Sequence, residues 1–476
     1  MARLPTGRAI WTVLVAAFAI SFLETVPRAH AQGVTDYPIP STAREAYSPI
    51  GEGFAAPLDP RDDLRGARRY VDPREERLKA ARTQRWPNAP AFIRDMELRA
   101  NSRTYWFEED RFGFVEPKAF TTGGSLVYQS GYLADVFQLR SVLYTTQPLY
   151  ANADAGFSEN LTLDGDQITV LGQIHGRARF AGQEITAGRM LVRNAFINPF
   201  DVRMIPLTFE GVMLNPQNPN PKIDYMASYL SRYKPRDDDN FIPFSEGLGV
   251  AQDEGTLNAG ISYHENGWNI GVSNYWIKDV LNTAYGEIDY LLPFGGDGAD
   301  PSFRVGVNYL DQRTVGADLI AGAPYNTYQA SARFIVSYQG FVFTGAVSQV
   351  GDAASIRKPF GYSTSYTGTL VTSFQQAGVD AYLLRLSYDL AKLGLDGLKV
   401  DAAWGKGSGV NDPVTNLDFA NQEELTLRLV YEPHYSPLEG LRVEVEYVDW
   451  QVFDAALPSE KLTQFRTIVN YAVPLL

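Results

Sequence analysis

Two arginines, Arg177 and Arg179, sit in a stretch, GQIHGRARFAGQEITAGRM, whose polar and apolar residues alternate. Gln173, His175, Arg177 and Arg179 fall on one face of an extended strand, and Ile174, Ala178 and Phe180 on the other, because strand side chains alternate with period two. Guanidinium groups in such a row take a carboxylate bidentately and cannot exchange protons with it. The chemistry on offer is recognition of anions rather than bond making. The pattern recurs at Arg99, Arg103, Arg140, Arg304, Arg333, Arg385, Arg428 and Arg466, most of them with apolar neighbours on one or both sides. In a strand that crosses a bilayer, a charge facing lipid at the midplane costs about 2–4 kcal/mol, so these arginines are expected to line the interior. A plainer role is open to each of them. Inward carboxylates such as Glu97, Asp389, Asp401, Glu444 and Glu446 would pair with them and merely stiffen the wall.

An irregular stretch rich in Asn, Pro, Arg and Asp follows the organising strands. If it folds inward it narrows the passage, and Arg193, Asn194, Asn198, Asp201 and Arg203 are the candidates for the narrowest point. Arg103, Arg189 and the Arg177/Arg179 pair are expected to approach the same constriction. Bond-making chemistry finds no support. Beyond residue 31 the histidines are His175, His264 and His434, far apart and outside any nucleophile-elbow or zinc motif. No catalytic residue, cofactor or metal site is expected. The run Asp237-Asp238-Asp239 lacks the spaced ligands of a calcium loop, and reads as a solvated turn or one bridged by cations to lipopolysaccharide.

The elements that would position these residues are strands. The chain opens with Arg3 and Arg8, an apolar run from Ile10 to Leu23 and the small-x-small sequence Ala29-His30-Ala31, the marks of a secretory signal ending at residue 31. No later apolar run approaches the ~18 residues of a membrane helix. There is no cysteine, so disulfides and thiolate metal sites are excluded. Formal charge is −13, and removing the net positive signal leaves the remainder more negative, which argues against nucleic acid as a partner. Residues 32–91 are rich in Pro, Arg and Asp, with a short helix expected at residues 74–82; the segment reads as a poorly ordered or partly helical periplasmic extension. From residue 92 to 476 strand-like segments recur. Their starts number 18, and their spacing exceeds the ~8–12 residues of soluble sandwiches. Mean hydropathy is only −0.20, as expected when alternate residues face lipid. Tyr105 with Trp106, Tyr275 with Trp276, Tyr447 with Trp450, and Tyr471 are expected to form interfacial belts. The fold expected is all-β, a transmembrane antiparallel barrel of about 18 strands with an inward constriction loop.

Several segments resemble the OprD family of specific outer-membrane porins. LRANSRTYWFEEDRF resembles the family's first strand, and GGSLVYQSGY its second strand and turn. ITAGRML followed by RMIPLTFEGVML resembles the strand and the Arg-x-x-Pro-x-x-Phe-x-Gly segment behind the constriction loop. YLLRLSYDLAKLGLDGLKVDAAWGKG resembles the late hairpin. The resemblance spans roughly residues 94–476. It implies an 18-stranded channel in the outer membrane of a Gram-negative bacterium, lined by an arginine ladder.

The function expected is substrate-selective passive diffusion of small carboxylate-bearing solutes, organic acids and amino acids among them. Export of an acidic polysaccharide is one alternative, and a non-conducting structural or adhesion barrel another. The expected surroundings are outer-membrane lipids, lipopolysaccharide, small anionic or zwitterionic solutes and the barrel-assembly machinery, with the chain a monomer or a trimer.

Overall fold

The computed structural model describes residues 73–111, 115–217, 222–292, 301–320, 324–358, 360–361, 363–413, 417–433, 438–453 and 460–476. The signal read at residues 1–31, and residues 32–72 of the extension, lie outside them. Two helices come first, α1 (Pro73–Arg85) and the single-turn α2 (Ala91–Arg94). The helix expected at 74–82 is thus present and longer; it touches the last strand, and its buried Arg82 donates from Nε to the Arg94 carbonyl at 3.4 Å.

After Asp95 the described residues are strand and loop, with single 3-10 turns at Ala155–Ser158, Glu246–Leu248 and Leu390–Leu393. The first wall strands are β1 (Glu97–Arg111), β2 (Lys118–Gln129), β3 (Phe137–Ala151), β4 (Ile168–Phe180), β5 (Gln183–Met190), β6 (Thr208–Pro216) and β7 (Ile223–Lys234). A two-residue segment, β8 (Ile242–Pro243), pairs with the end of β7 and adds no wall. The circuit continues through β9 (Thr256–Glu265), β10 (Trp268–Ile277), β11 (Leu281–Leu292), β12 (Ser302–Thr314), β13 (Asn326–Tyr338) and β14 (Phe341–Val350). It ends with β15 (Asp380–Asp389), β16 (Leu398–Asp412), β17 (Leu417–Tyr431), β18 (Leu441–Phe453) and β19 (Glu460–Pro474). Each long strand pairs antiparallel with the next, β7 with β9, and β19 with β1 from Arg99↔Pro474 to Arg111↔Leu462. The result is a closed 18-stranded barrel, which leaves no sheet edge unpaired in lipid.

Period-two patterning explains which way each wall faces. Leu427 is 44% exposed, whereas its neighbours Thr426 and Arg428 are 6% and 7% exposed. Apolar residues such as Leu126, Val212, Val272, Val307 and Leu384 coat the outside, and Ser, Thr, Asn, Gln and Arg fill the inside. The aromatic belts follow the same rule, so only part of each expected pair contributes. Trp106 faces out against Phe120 and Tyr150, but Tyr105 is fully buried inside; Trp276 and Tyr447 face out, but Tyr275 and Trp450 face in.

Connections alternate in length. Two-residue turns at Ala181–Gly182, Asn266–Gly267 and Gln339–Gly340 have positive φ at both positions, the left-handed geometry that suits the twist of a tight hairpin. They lie at the end that carries α2, whose Phe92 carbonyl accepts from the Gly131 amide at 3.0 Å. The third wall strand begins only at Phe137, because Ala134 and Asp135 take φ of 51° and 57° and turn the chain before it. The long connections, 152–167, 191–207, 235–255 and 351–379, sit at the opposite end.

Candidate functional site

Loop 191–207 folds inward. Asn194 Oδ1 accepts from the amides of Phe196 (3.2 Å) and Ile197 (2.7 Å), and Asn198 Oδ1 from that of Phe200 (3.2 Å). Such local bonds hold a compact turn without strand or helix. The loop then reaches two opposite walls. On β10, Tyr275 donates its hydroxyl to Asn194 Oδ1 at 3.1 Å. On β1, Arg103 grips Asp201 at 2.5 and 3.2 Å, and Arg203 donates to the Tyr105 hydroxyl at 3.4 Å. A segment touching both β1 and β10 in an 18-strand circuit must cross the lumen. Among the residues proposed to set the constriction, Asn194, Asn198 and Arg203 are buried at 1–4% exposure. They hold the loop in place, with Arg203 lying over Phe107 and pairing with Glu159 at 3.4 Å. Arg193 and Asp201 are partly exposed.

A second inward loop, 351–379, has no counterpart in the reading from sequence. It is tied to the inner wall strand by strand. Gln312 on β12 donates to the Arg357 carbonyl (2.9 Å) and accepts from its amide (2.7 Å). Thr327 on β13 donates to the Ala354 carbonyl (2.7 Å), and Ser348 on β14 bonds Thr367 (2.6 Å). At the tip, the buried Glu424 carboxylate on β17 accepts from three successive amides, Leu370, Val371 and Thr372, at 2.7–3.1 Å. Beside it Phe374 is fully buried against Gly405 and Gly407 of β16, where an added Cβ would come within 2.7 and 2.6 Å of its ring. The available signal was the wide gap between strands filled with Ser, Thr and Gln (STSYTGTLVTSFQQAG). The two loops meet where the Asn198 amide donates to the Phe360 carbonyl (3.0 Å), and Phe360 packs on Phe244 and Tyr233 with ring centroids 4.5 and 5.2 Å apart. Loop 235–255, which carries Phe244, is therefore part of the same filling.

Strand register puts all the arginines read as inward on the inner face. Several are bound to carboxylates: Arg333 to Asp289 (2.8 Å), Arg385 and Arg428 to Asp401 (2.7 and 3.5 Å), and Arg466 to Glu446 (3.3 Å). Arg304, on β12, is 1% exposed. Arg99, Arg103 and Arg140 are half-buried on β1 and β3, and Arg140 donates to Gln129 at 2.9 Å.

Arg177 and Arg179 are less tightly held. They share Glu184 across the β4–β5 hairpin at 3.8 and 3.3 Å, and the Arg179 guanidinium stacks 3.7 Å from the Tyr132 ring centre. Tyr132, in the turn before β3, also donates to Glu184 at 3.1 Å. Burial and the neighbouring Glu184 charge push its phenol up to about 12, so it stays a donor. Two expectations fail here. The pair lies next to the turn at Ala181–Gly182, at the end of the barrel opposite the start of loop 191–207, so it does not flank the constriction. Arg189 points to the outer face, where it pairs with Glu210 (2.9 Å) and covers the Phe241 ring, because in β5 the inward positions are Glu184, Thr186 and Gly188.

A barrel of this strand number, narrowed by loops and lined by arginine, can be set beside known proteins. The family described as outer membrane porin, OprD family, matches residues 90–475. The chain belongs to the OprD family. No sequence match was found among curated proteins. Solved OprD-type porins share the fold. OpdK from Pseudomonas aeruginosa, solved with vanillate, superposes with a TM-score of 0.69 at 20% identity, over 80% of this chain and 100% of its own. OccK9 (OpdG) from the same organism gives 0.71 at 20% identity, over 81% and 100%. OccAB3 from Acinetobacter baumannii gives 0.71 at 17% identity, over 80% and 100%. This OprD-family porin is thus an outer-membrane channel of a Gram-negative bacterium, with lipid and lipopolysaccharide around it and small solutes as its traffic.

Proposed function

We propose that this porin is a substrate-selective passive channel for small carboxylate-bearing solutes. The observation that carries the reading is the charge on one sector of the inner wall. Strands β1 to β4 present Arg99, Arg103, Arg111, Arg140, Arg177 and Arg179, against Glu97 and Glu109, Glu184 on β5 and the loop residue Asp201. Basic side chains outnumber acids there although the whole chain carries −13. A shared, loosely paired carboxylate such as Glu184 is one that a solute carboxylate can replace in passing. Weak sites in series attract an anion without trapping it. The inward loops 191–207 and 351–379 favour small solutes over a polymer, which speaks against polysaccharide export. OpdK, with which this chain shares its fold, was solved with vanillate, itself a carboxylate. We extend the proposal to insertion by the barrel-assembly machinery, and to one channel per chain whether it stands as a monomer or a trimer.

Selectivity set by net charge would favour cations, and selectivity set by the arginine sector opposes that. In planar bilayers under a salt gradient, the wild type is expected to be less cation-selective than Arg177→Gln/Arg179→Gln, and carboxylate uptake to fall in the double variant. Unchanged reversal potential together with unchanged carboxylate flux would leave these arginines as wall-stiffening partners of Glu184.

A further inference from the structure

We infer that His175, with Arg140 and Arg177 beside it, forms a binding site for a carboxylate that carries a hydroxyl on the adjacent carbon. The inference rests on the carboxylate reading above and narrows it to a class of solute. His175 is on the inner face of β4, 3% exposed, and its Nδ1 lies 2.9 Å from the Arg189 carbonyl oxygen. A carbonyl oxygen only accepts, so Nδ1 carries the proton, and Nε2 of the neutral ring is an acceptor. That Nε2 is buried without a hydrogen-bond partner. Arg177 Nε, a donor two residues along the same face, is buried in the same condition, with Glu184 Oε1 at 3.8 Å beyond hydrogen-bond reach. Native interiors seldom leave such groups unmatched, and one unmatched at a wall of the lumen suits a ligand.

The register supplies the rest of the site. Arg140 stands directly opposite His175 on β3, and Gly188 directly opposite on β5. Gly188 has φ of +120°, and a Cβ there would meet the Ile174 carbonyl oxygen at 2.4 Å and His175 Cα at 3.0 Å. A residue with a side chain does not fit, and its absence lets the ring lie against the β5 backbone and reach Arg189. The site then offers guanidinium donors for a carboxylate and one ring acceptor for a hydroxyl proton. A hydroxy acid presents that complement on two adjacent carbons. An α-amino acid presents a donor too, but its ammonium would enter beside Arg140 and Arg177 and be repelled.

Lactate and propionate have the same charge and nearly the same size, and differ in that hydroxyl. In proteoliposome uptake the wild type is expected to take lactate several-fold better than propionate at low concentration. His175→Leu should bring the ratio near one with propionate uptake unchanged, and His175→Gln, whose amide oxygen accepts, should keep part of the preference. Potassium chloride conductance and heat-modifiable migration equal to wild type would confirm that each variant is a folded channel. A ratio unaltered in His175→Leu overturns the inference. So does an equal fall in both solutes, which would mean that the ring merely orients Arg177. Arg177→Gln/Arg179→Gln separates this from the parent reading: if neither solute responds to loss of the arginines, carboxylate selection itself fails, whatever the lactate-to-propionate ratio does.

Discussion

Replacing Glu424 by alanine should unseat the tip of loop 351–379. The wild-type carboxylate, fully buried on β17, receives the amides of Leu370, Val371 and Thr372 and the Thr426 hydroxyl at 2.7–3.1 Å. Hydrogen bonds to a charged acceptor each contribute about 1.5–3 kcal/mol. Removing one side of such a buried set costs about 3–5 kcal/mol, because the amides left behind are neither solvated nor paired. At about 1.4 kcal/mol per factor of ten, the undocked population should rise at least about a hundredfold. Glu424→Gln keeps one acceptor and loses the charge, so its effect should be smaller. Phe374, seated against Gly405 and Gly407, still resists full withdrawal, and burial of such a ring is worth about 1.5–3 kcal/mol. The Glu424→Ala/Phe374→Ala pair should therefore open further than either single change. Single-channel recording reads this as larger and noisier open current, and protease added from the outside reads it as new cleavage within 361–376. Wild-type current, noise and protease resistance in Glu424→Ala would refute the assignment of this carboxylate as the latch. Wild-type behaviour of Glu424→Gln would refute the role of its charge, and equal behaviour of the alanine and glutamine variants would refute the contribution of the retained acceptor.

Two further outcomes concern the ends of the barrel. Burial first, then the nearby Glu159 charge, raises the Asp237 carboxyl in loop 235–255 to about 6. A carboxyl raised above its unfolded value favours the fold below about pH 4 and loses that contribution as pH rises through 6; Asp237→Asn should thus raise the temperature of heat modification at pH 7.5 and leave it unchanged at pH 4, and an equal rise at both would contradict the cause given. At the other end, removal of residues 32–88 should leave a heat-modifiable barrel, since the closing β1–β19 register begins at Arg99; failure of that variant to assemble would move the boundary of the barrel into the segment before it.

Strand identity and facing were legible because both follow from a local rule. In a wall one strand thick, between lipid and a polar interior, period two decides each residue's side. Leu427 and Arg428 sort themselves without help from anything distant. Arg189 shows the limit of reading charge without parity. Its neighbours suggested a loop approach, but its place in the β5 register sends it to the outer face beside Glu210. Likewise Arg177 and Arg179 were recognisable as an inward pair, while their height in the barrel was not, because nearness to loop 191–207 in sequence becomes distance when a strand runs away from it.

What the chain determined by itself is therefore the wall: the strand positions, their alternation and the basic lining. What only the tertiary structure decided is the filling. Loop 351–379 has no periodicity, and its inward path depends on partners on five strands, Asp289, Gln312, Thr327, Ser348 and Glu424, brought together only when the circuit closes. The same closure pairs Arg385 and Arg428 with one aspartate, Asp401, and leaves Arg177 and Arg179 sharing one glutamate. Which arginines are spent on the wall and which stay open to a solute is a matter of cross-strand neighbours, and no local pattern in a single strand encodes its neighbour's register.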